Sequence, residues 1–163
     1  MRLALYTPVI SPHQLPLAER IVSRVGADNF LYIYTQEKSR ERLNLGWGKS
    51  EDAEKIRKVK ADTDEAHEWL ENADVLIVGN CRPLPLIRRR AMNGHKSFYQ
   101  TERWFKPPLG MLRMVWPPYF KMAIRFYTLL RNNQLFECLP MGVHAARDMA
   151  RLCGLFAGDL RCL

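Results

Sequence analysis

The sequence has no run of 18 or more apolar residues, the length a helix needs to cross a bilayer, so none of its 163 residues predicts a membrane span. The N-terminal stretch MRLALYTPVISPHQLP is broken by Pro8, Pro12 and Pro16 and has too short an apolar core for a secretory signal. CxxC, HxxxH and HExxH spacings are all missing, and metal sites favour such strict spacings. No metal site is therefore expected. The loop after the first apolar run, TPVISPHQ, contains no glycine, which rules out the close backbone approach to a pyrophosphate that a dinucleotide site needs. A Walker A motif is missing too, so no cofactor is predicted. Helix-turn-helix, RRM and zinc-finger patterns do not occur, which argues against nucleic acid as a partner. The cysteines are few and far apart: Cys81, Cys138, Cys153 and Cys162. They read as reduced thiols, not as a disulfide framework, and with the missing leader they predict a cytoplasmic protein.

Acidic residues are scarce in one place. Between Arg82 and Arg131 there are 11 basic residues and one acidic residue, Glu102. The whole chain carries a formal charge of +8, so its entire positive excess lies in that quarter. Such a field attracts phosphate esters, anionic headgroups or nucleic acid, although a solvated basic face that aids solubility has the same composition. Hydrophobic residues make up 47% and charged residues 26%, the balance of an ordinary globular protein. The length predicts one domain spanning 1–163, large enough to bury a core unaided.

Hydrophobic patterning then gives alternating elements. Leu3 to Tyr6 reads as a first strand stopped at Thr7-Pro8. Leu15, Ala18, Ile21 or Val22, and Val25 follow at helical spacing, closed by Gly26. Phe30 to Thr35 is a second strand. Residues 36–61, polar and charged with Gly46-Trp47-Gly48 in the middle, read as a loop with a short helix. Asp62 and Glu65 predict a capping box before a helix that buries Ala66, Trp69, Leu70 and Ala73. Val75 to Val78 is apolar throughout, as a strand covered on both faces must be. Pro83 opens a helix to about Met92, with Arg88, Arg89 and Arg90 suited to its C-terminal end. Ser97–Gln100 and Phe136–Leu139 are further strands. Pro117-Pro118 starts a helix predicted to be mostly buried, its thin polar stripe being Lys121, Arg125 and Thr128. A last helix is expected from Val143 to Cys153, stopped by Gly154. The alternation predicts an α/β protein, a parallel sheet with helices on both faces. Ligands of such sheets bind beyond the carboxyl ends of the strands, where Thr7–Gln14, Gly79–Pro83, Gln100–Lys106 and Pro140–His144 would lie.

Several residues in those segments could carry chemistry. His13 could act as a base near neutral pH or hydrogen-bond a ligand, or simply bond to its own loop. Glu102 is expected to pair with Arg103 or Lys106, leaving a substrate contact or a structural ion pair. His144 and Asp148 lie four apart and can support each other on one helix face, and the helix start at Gly142 offers free N–H groups. His13, Cys81, Cys138 and His144 could meet at the strand ends, but thiols there are usually plain core residues. The aromatic and basic mixtures ERWFKPP and WPPYFK suit a membrane surface, or else a helix packed in the core.

The order of these segments resembles a known family. A strand with a proline-rich loop, then ADVLIVG, YQTERWFKP and LPMGVHAARDMARLCGLF, is similar to the N-terminal domain of retaining-type GT-B glycosyltransferases of bacterial polysaccharide biosynthesis. Thr101-Glu102-Arg103 stands where those relatives carry a Ser-Glu-Arg type segment, and Ala145-Ala146-Arg147-Asp148 matches their Ala-Ala-x-Asp type pattern. The resemblance covers about residues 1–160 and is diffuse. It implies a Rossmann-like domain forming one half of a GT-B fold. The acceptor, a glycan or a lipid-linked molecule, would face His13 and the segment Thr101, Glu102 and Arg103. Gly142 and His144 would border the donor. The nucleotide-sugar donor would be held by a C-terminal domain that this chain does not contain, so the chain alone is expected to be inactive. The basic stretch 82–131 would then meet an anionic membrane surface. The alternative is a stand-alone α/β module that binds a phosphorylated metabolite or nucleic acid through that stretch.

Overall fold

A computed structural model describes residues 1–44 and 56–156. Gly46, Trp47, Gly48 and Cys162, singled out above, lie outside the described residues. The chain forms two compact units, Met1–Cys81 and Arg82–Leu163.

In the first unit four strands pair in the order β3-β2-β1-β4. They are β1 (Leu3–Thr7), β2 (Phe30–Tyr34), β3 (Lys58–Lys60) and β4 (Val75–Gly79). Every pair is parallel, with Leu5 opposite both Tyr32 and Ile77. Consecutive strand residues point to opposite faces. Leu3, Ala4 and Leu5, Phe30 to Ile33, and Leu76 to Val78 are all buried, so both faces are covered. The helices are α1 (Leu15–Val25), the short α2 (Arg40–Arg42) and α3 (Asp64–Asn72). The step from β1 through α1 to β2 runs one way across the sheet, and the step from β3 through α3 to β4 runs the other way. Right-handed crossovers therefore place α1 and α3 on opposite faces.

The punctuation of this unit follows local chemistry. Gly26 adopts φ 88° after α1, and its N–H donates to Val22 O at 2.9 Å. The cap of α3 lies one residue beyond the predicted Asp62: Thr63 Oγ1 accepts from Ala66 N at 3.1 Å, while Asp62 pairs with Lys60 at 3.3 Å. The predicted capping box is thus corrected, because the Thr63 hydroxyl reaches the free N–H from the extended residue that immediately precedes the helix. Arg2 ties the strand to this helix. Its backbone N–H donates to Asp74 Oδ2 at 2.7 Å, its guanidinium meets Glu68, and the same group lies 4.2 Å from the centre of the Trp69 ring. β3 was not foreseen. It is polar (Lys58-Val59-Lys60) and gains its identity from pairing with β2 at the sheet edge.

The second unit comprises α4 (Leu84–Met92), β5 (Lys96–Thr101), a 3-10 turn (Gly110–Val115), α5 (Pro117–Asn132), β6 (Phe136–Pro140) and α6 (Val143–Leu155). β5 and β6 are parallel, with Ser97 opposite Phe136 and Thr101 opposite Pro140. The core is aromatic. Phe126 lies 5.1 Å from Tyr99, 5.0 Å from Trp104 and 5.6 Å from Phe136 between ring centres.

Two sequence expectations change here, and a third gains a burial that the sequence did not show. α5 buries one stripe, Ala123, Phe126, Tyr127 and Leu130, while Phe120 and Ile124 are exposed. Gly154 does not stop α6, which continues to Leu155. Arg90 stands in the last turn of α4, as the sequence places it, but it does not face solvent. It is fully buried, and its Nε donates to Ser97 Oγ at 3.2 Å and its Nη2 to Lys96 O at 3.1 Å. Taken together the chain is α/β and Rossmann-like, with parallel strands and flanking helices.

Candidate functional site

In the first unit the strand order reverses between β1 and β4, which makes their carboxyl ends a topological switch point. The loop Pro8–Gln14 follows β1 and the turn Asn80-Cys81 follows β4. The loop is braced from below. Thr7 Oγ1 donates to Val9 O at 3.0 Å and lies 3.2 Å from the Tyr32 hydroxyl, which donates to Gln14 Oε1 at 2.8 Å. Burial pushes the Tyr32 phenol above its ordinary range, so this hydroxyl remains a donor. His13 is exposed on the same loop, its backbone N–H donating to Ser11 Oγ at 3.3 Å. A histidine held there can exchange a proton with a hydroxyl or donate to a phosphate.

Asn80 has φ 56°. A non-glycine residue in the left-handed region directly after a strand is a stored constraint of the kind found at ligand-facing turns. The next residue, Cys81, is largely desolvated, which pushes its thiol up to about 12. Its Sγ lies 3.8 Å from Tyr6 O. A thiol so raised stays protonated near neutral pH and is a poor nucleophile in this state. Among the described residues no group of three His, Cys, Asp or Glu side chains could hold a metal ion.

In the second unit the carboxyl ends of β5 and β6 carry the other candidate segments. Thr101 is buried, its Oγ1 donating to Glu102 O at 2.9 Å and accepting from Trp104 Nε1 at 2.8 Å. Glu102 is exposed and pairs with Lys106 at 2.7 Å, one of the two expected partners. Arg103 takes the other course. Its Nε lies 3.7 Å from Asp148 Oδ2, an ion pair too long to be a hydrogen bond. This nitrogen makes no hydrogen bond in the structure. Asp148 is 1% exposed and also accepts from Phe105 N at 3.0 Å. The loop after β5 is therefore held by an acid from α6.

Gly142 is the residue before α6, with φ 87° and ψ 172°, a conformation essentially restricted to glycine. Met141 N donates to Thr101 O at 2.9 Å, which joins this turn to the end of β5. His144 is exposed in the first turn of α6. The expected mutual support of His144 and Asp148 is not formed, because Asp148 turns inward to Phe105 and Arg103 while His144 stays in solvent.

The sequence reading did not foresee two further features. Arg82 donates from Nε to the Tyr99 hydroxyl at 3.3 Å, and its guanidinium lies 4.8 Å from the centre of the Trp104 ring. A groove of about 1090 Å³ runs between α4 and α5, lined by Arg82, Arg88, Arg89 and Arg125 around Leu84 and Ile124. The acid-free sequence of both helices signalled such a surface, but only their packing makes a groove of it. No helix among the described residues is long and apolar enough to cross a membrane.

No family model and no curated protein matches this chain. Among solved structures, the chain is similar to the 3-dehydroquinate dehydratase from Aquifex aeolicus VF5, at 12% identity and a TM-score of 0.28, over 100% of this chain and 78% of that one.

Proposed function

We propose that this chain is the acceptor-binding half of a GT-B glycosyltransferase, which moves a sugar from a nucleotide-sugar donor to a glycan or lipid-linked acceptor. One observation carries the reading. Thr101-Glu102-Arg103 and the helix motif ending at Asp148, the two segments that carry the resemblance, form one bonded assembly through Asp148, Phe105 and Arg103. The assembly follows the carboxyl end of a parallel strand, where sheets of this kind hold ligands.

In this reading the guanidinium of Arg103, 3.7 Å from the Asp148 carboxylate, meets a negatively charged acceptor group. Glu102, exposed beside Lys106, accepts from an acceptor hydroxyl. Gly142 and His144 border the donor. In the first unit His13 is the group assigned to proton transfer. In the same reading the nucleotide sugar is held by a second domain.

Calorimetric titration of the chain tests this. A prenyl-diphosphate-linked saccharide should bind saturably and lose most of its affinity on Arg103→Ala. Uridine, guanosine and adenosine diphosphate sugars should bind weakly or not at all. Preference for a free sugar phosphate, or for RNA or DNA with affinity falling steeply in salt, would replace the transferase reading with the stand-alone α/β module.

A further inference from the structure

We propose that the 3-10 turn after β5 is a wedge that inserts shallowly into an anionic bilayer surface. This inference does not rest on the transferase reading. In a 3-10 helix the side chains at i and i+3 eclipse, so Leu109, Leu112 and Val115 form one ridge along the turn Gly110–Val115. The ridge points to solvent: Leu109 is 55%, Leu112 69% and Val115 79% exposed, and Trp116, which follows, is 64% exposed. Four large apolar side chains this exposed in consecutive turns mark a surface that something covers.

The base of the ridge is firm. Gly110 N donates to Lys106 O at 3.1 Å. At the start of α5 the Tyr119 hydroxyl donates to Trp104 O at 2.6 Å, and the Tyr119 ring lies 6.0 Å from the buried Trp104. The ridge is thus presented by a packed support.

Its surroundings select the covering surface. Arg113 lies within the turn, with its Nε buried and making no hydrogen bond in the structure. Lys121 and Arg125 are exposed on α5. The single carboxylate between Arg82 and Arg131 is Glu102, already paired with Lys106. An apolar ridge with a cation in its own turn, further cations on the helix that follows and a tryptophan at its edge matches the layering of a bilayer. Acyl chains accept the ridge, the interface accepts the indole, and anionic headgroups meet the cations.

Vesicle sedimentation of the full chain tests the proposal. Vesicles of phosphatidylcholine with about one-third phosphatidylglycerol should bind it, with Trp116 emission shifting to the blue, and raised salt should release it. Phosphatidylcholine alone should bind far less. Leu112→Ser with Val115→Ser should lower partitioning by about tenfold or more at unchanged far-UV circular dichroism, since both positions are exposed. Lys121→Glu with Arg125→Glu should abolish the preference for the anionic lipid. Equal binding by the wild type and the ridge variant would overturn the proposal, as would failure of the wild type to bind. It would also fall if the wild type showed a concentration-dependent mass without vesicles that the ridge variant lost, because the ridge would then cover a second copy of the chain.

Discussion

The backbone N–H of Phe105 donates to Oδ2 of Asp148 at 3.0 Å, across 43 positions of sequence. This bond fastens the segment after β5 to the second turn of α6, and it gives the buried carboxylate a backbone donor. Asp148→Ala leaves a buried N–H without an acceptor and Arg103 without its ion pair. It should cost about 1–3 kcal/mol, read as a lower urea midpoint. Asp148→Asn keeps an acceptor oxygen and should cost less. Equal losses in the two variants would show that the carboxylate charge, not its acceptor geometry, holds the loop.

Gly142 and Gly154 make a contrasting pair. A Cβ at either would meet nothing within 4 Å, so space does not distinguish them. Gly142 has φ 87° and ψ 172°, and Gly142→Ala should destabilise by about 1–3 kcal/mol through backbone strain. Gly154 lies within α6, and Gly154→Ala should stabilise by about 0.5–1 kcal/mol. Thermal unfolding of the two variants should therefore shift in opposite directions.

Cys81 sets an alkaline limit. Burial raises its thiol from 9.0 to about 12. Above pH 9 the unfolded chain loses this proton while the folded chain keeps it, so stability falls as pH rises from about 9 toward 12. The slope from this group approaches about 1.4 kcal/mol per pH unit. Tyr6, Tyr32 and Tyr119, whose phenols burial also raises, add to the fall from about pH 10. Cys81→Ala should flatten the curve between pH 9 and 10, as measured by urea midpoints. In the folded wild type, iodoacetamide should label Cys81 far more slowly than it labels a free thiol at pH 8.

Thr63 caps α3 with its hydroxyl. Thr63→Ala should cost about 1 kcal/mol and Thr63→Ser should restore most of it. Asp62→Ala removes only an exposed ion pair with Lys60 and should change stability little. The reverse order of effects would return the cap to Asp62.

Where burial was complete on both faces, the reading from residue types was close. Val75 to Val78 and Phe30 to Tyr34 are strands because unbroken apolar, branched and aromatic runs suit a pleated surface covered on each side. β3 escaped notice because Lys58-Val59-Lys60 has too little apolar character to signal a strand, and its pairing with β2 supplies the missing reason. The site was legible as segments, since strand ends can be inferred once strands are. Which side chain meets which was not. His144 and Asp148 have helical spacing, yet Asp148 is drawn inward by a free N–H and a guanidinium on a distant loop.

The amino-acid sequence by itself determined that this is an α/β protein with parallel strands, that its positive charge gathers in 82–131, and that Thr101–Arg103 and Gly142–His144 lie at the carboxyl ends of strands. Those are consequences of local periodicity, composition and turn chemistry. The tertiary structure alone decided that Arg90 is buried and Val115 exposed, against the habit of their residue types. Burial of a single side chain depends on neighbours brought from elsewhere in the chain: Ser97 and Lys96 take the guanidinium of Arg90, while the three-residue pitch of the turn carries Val115 onto an outward ridge.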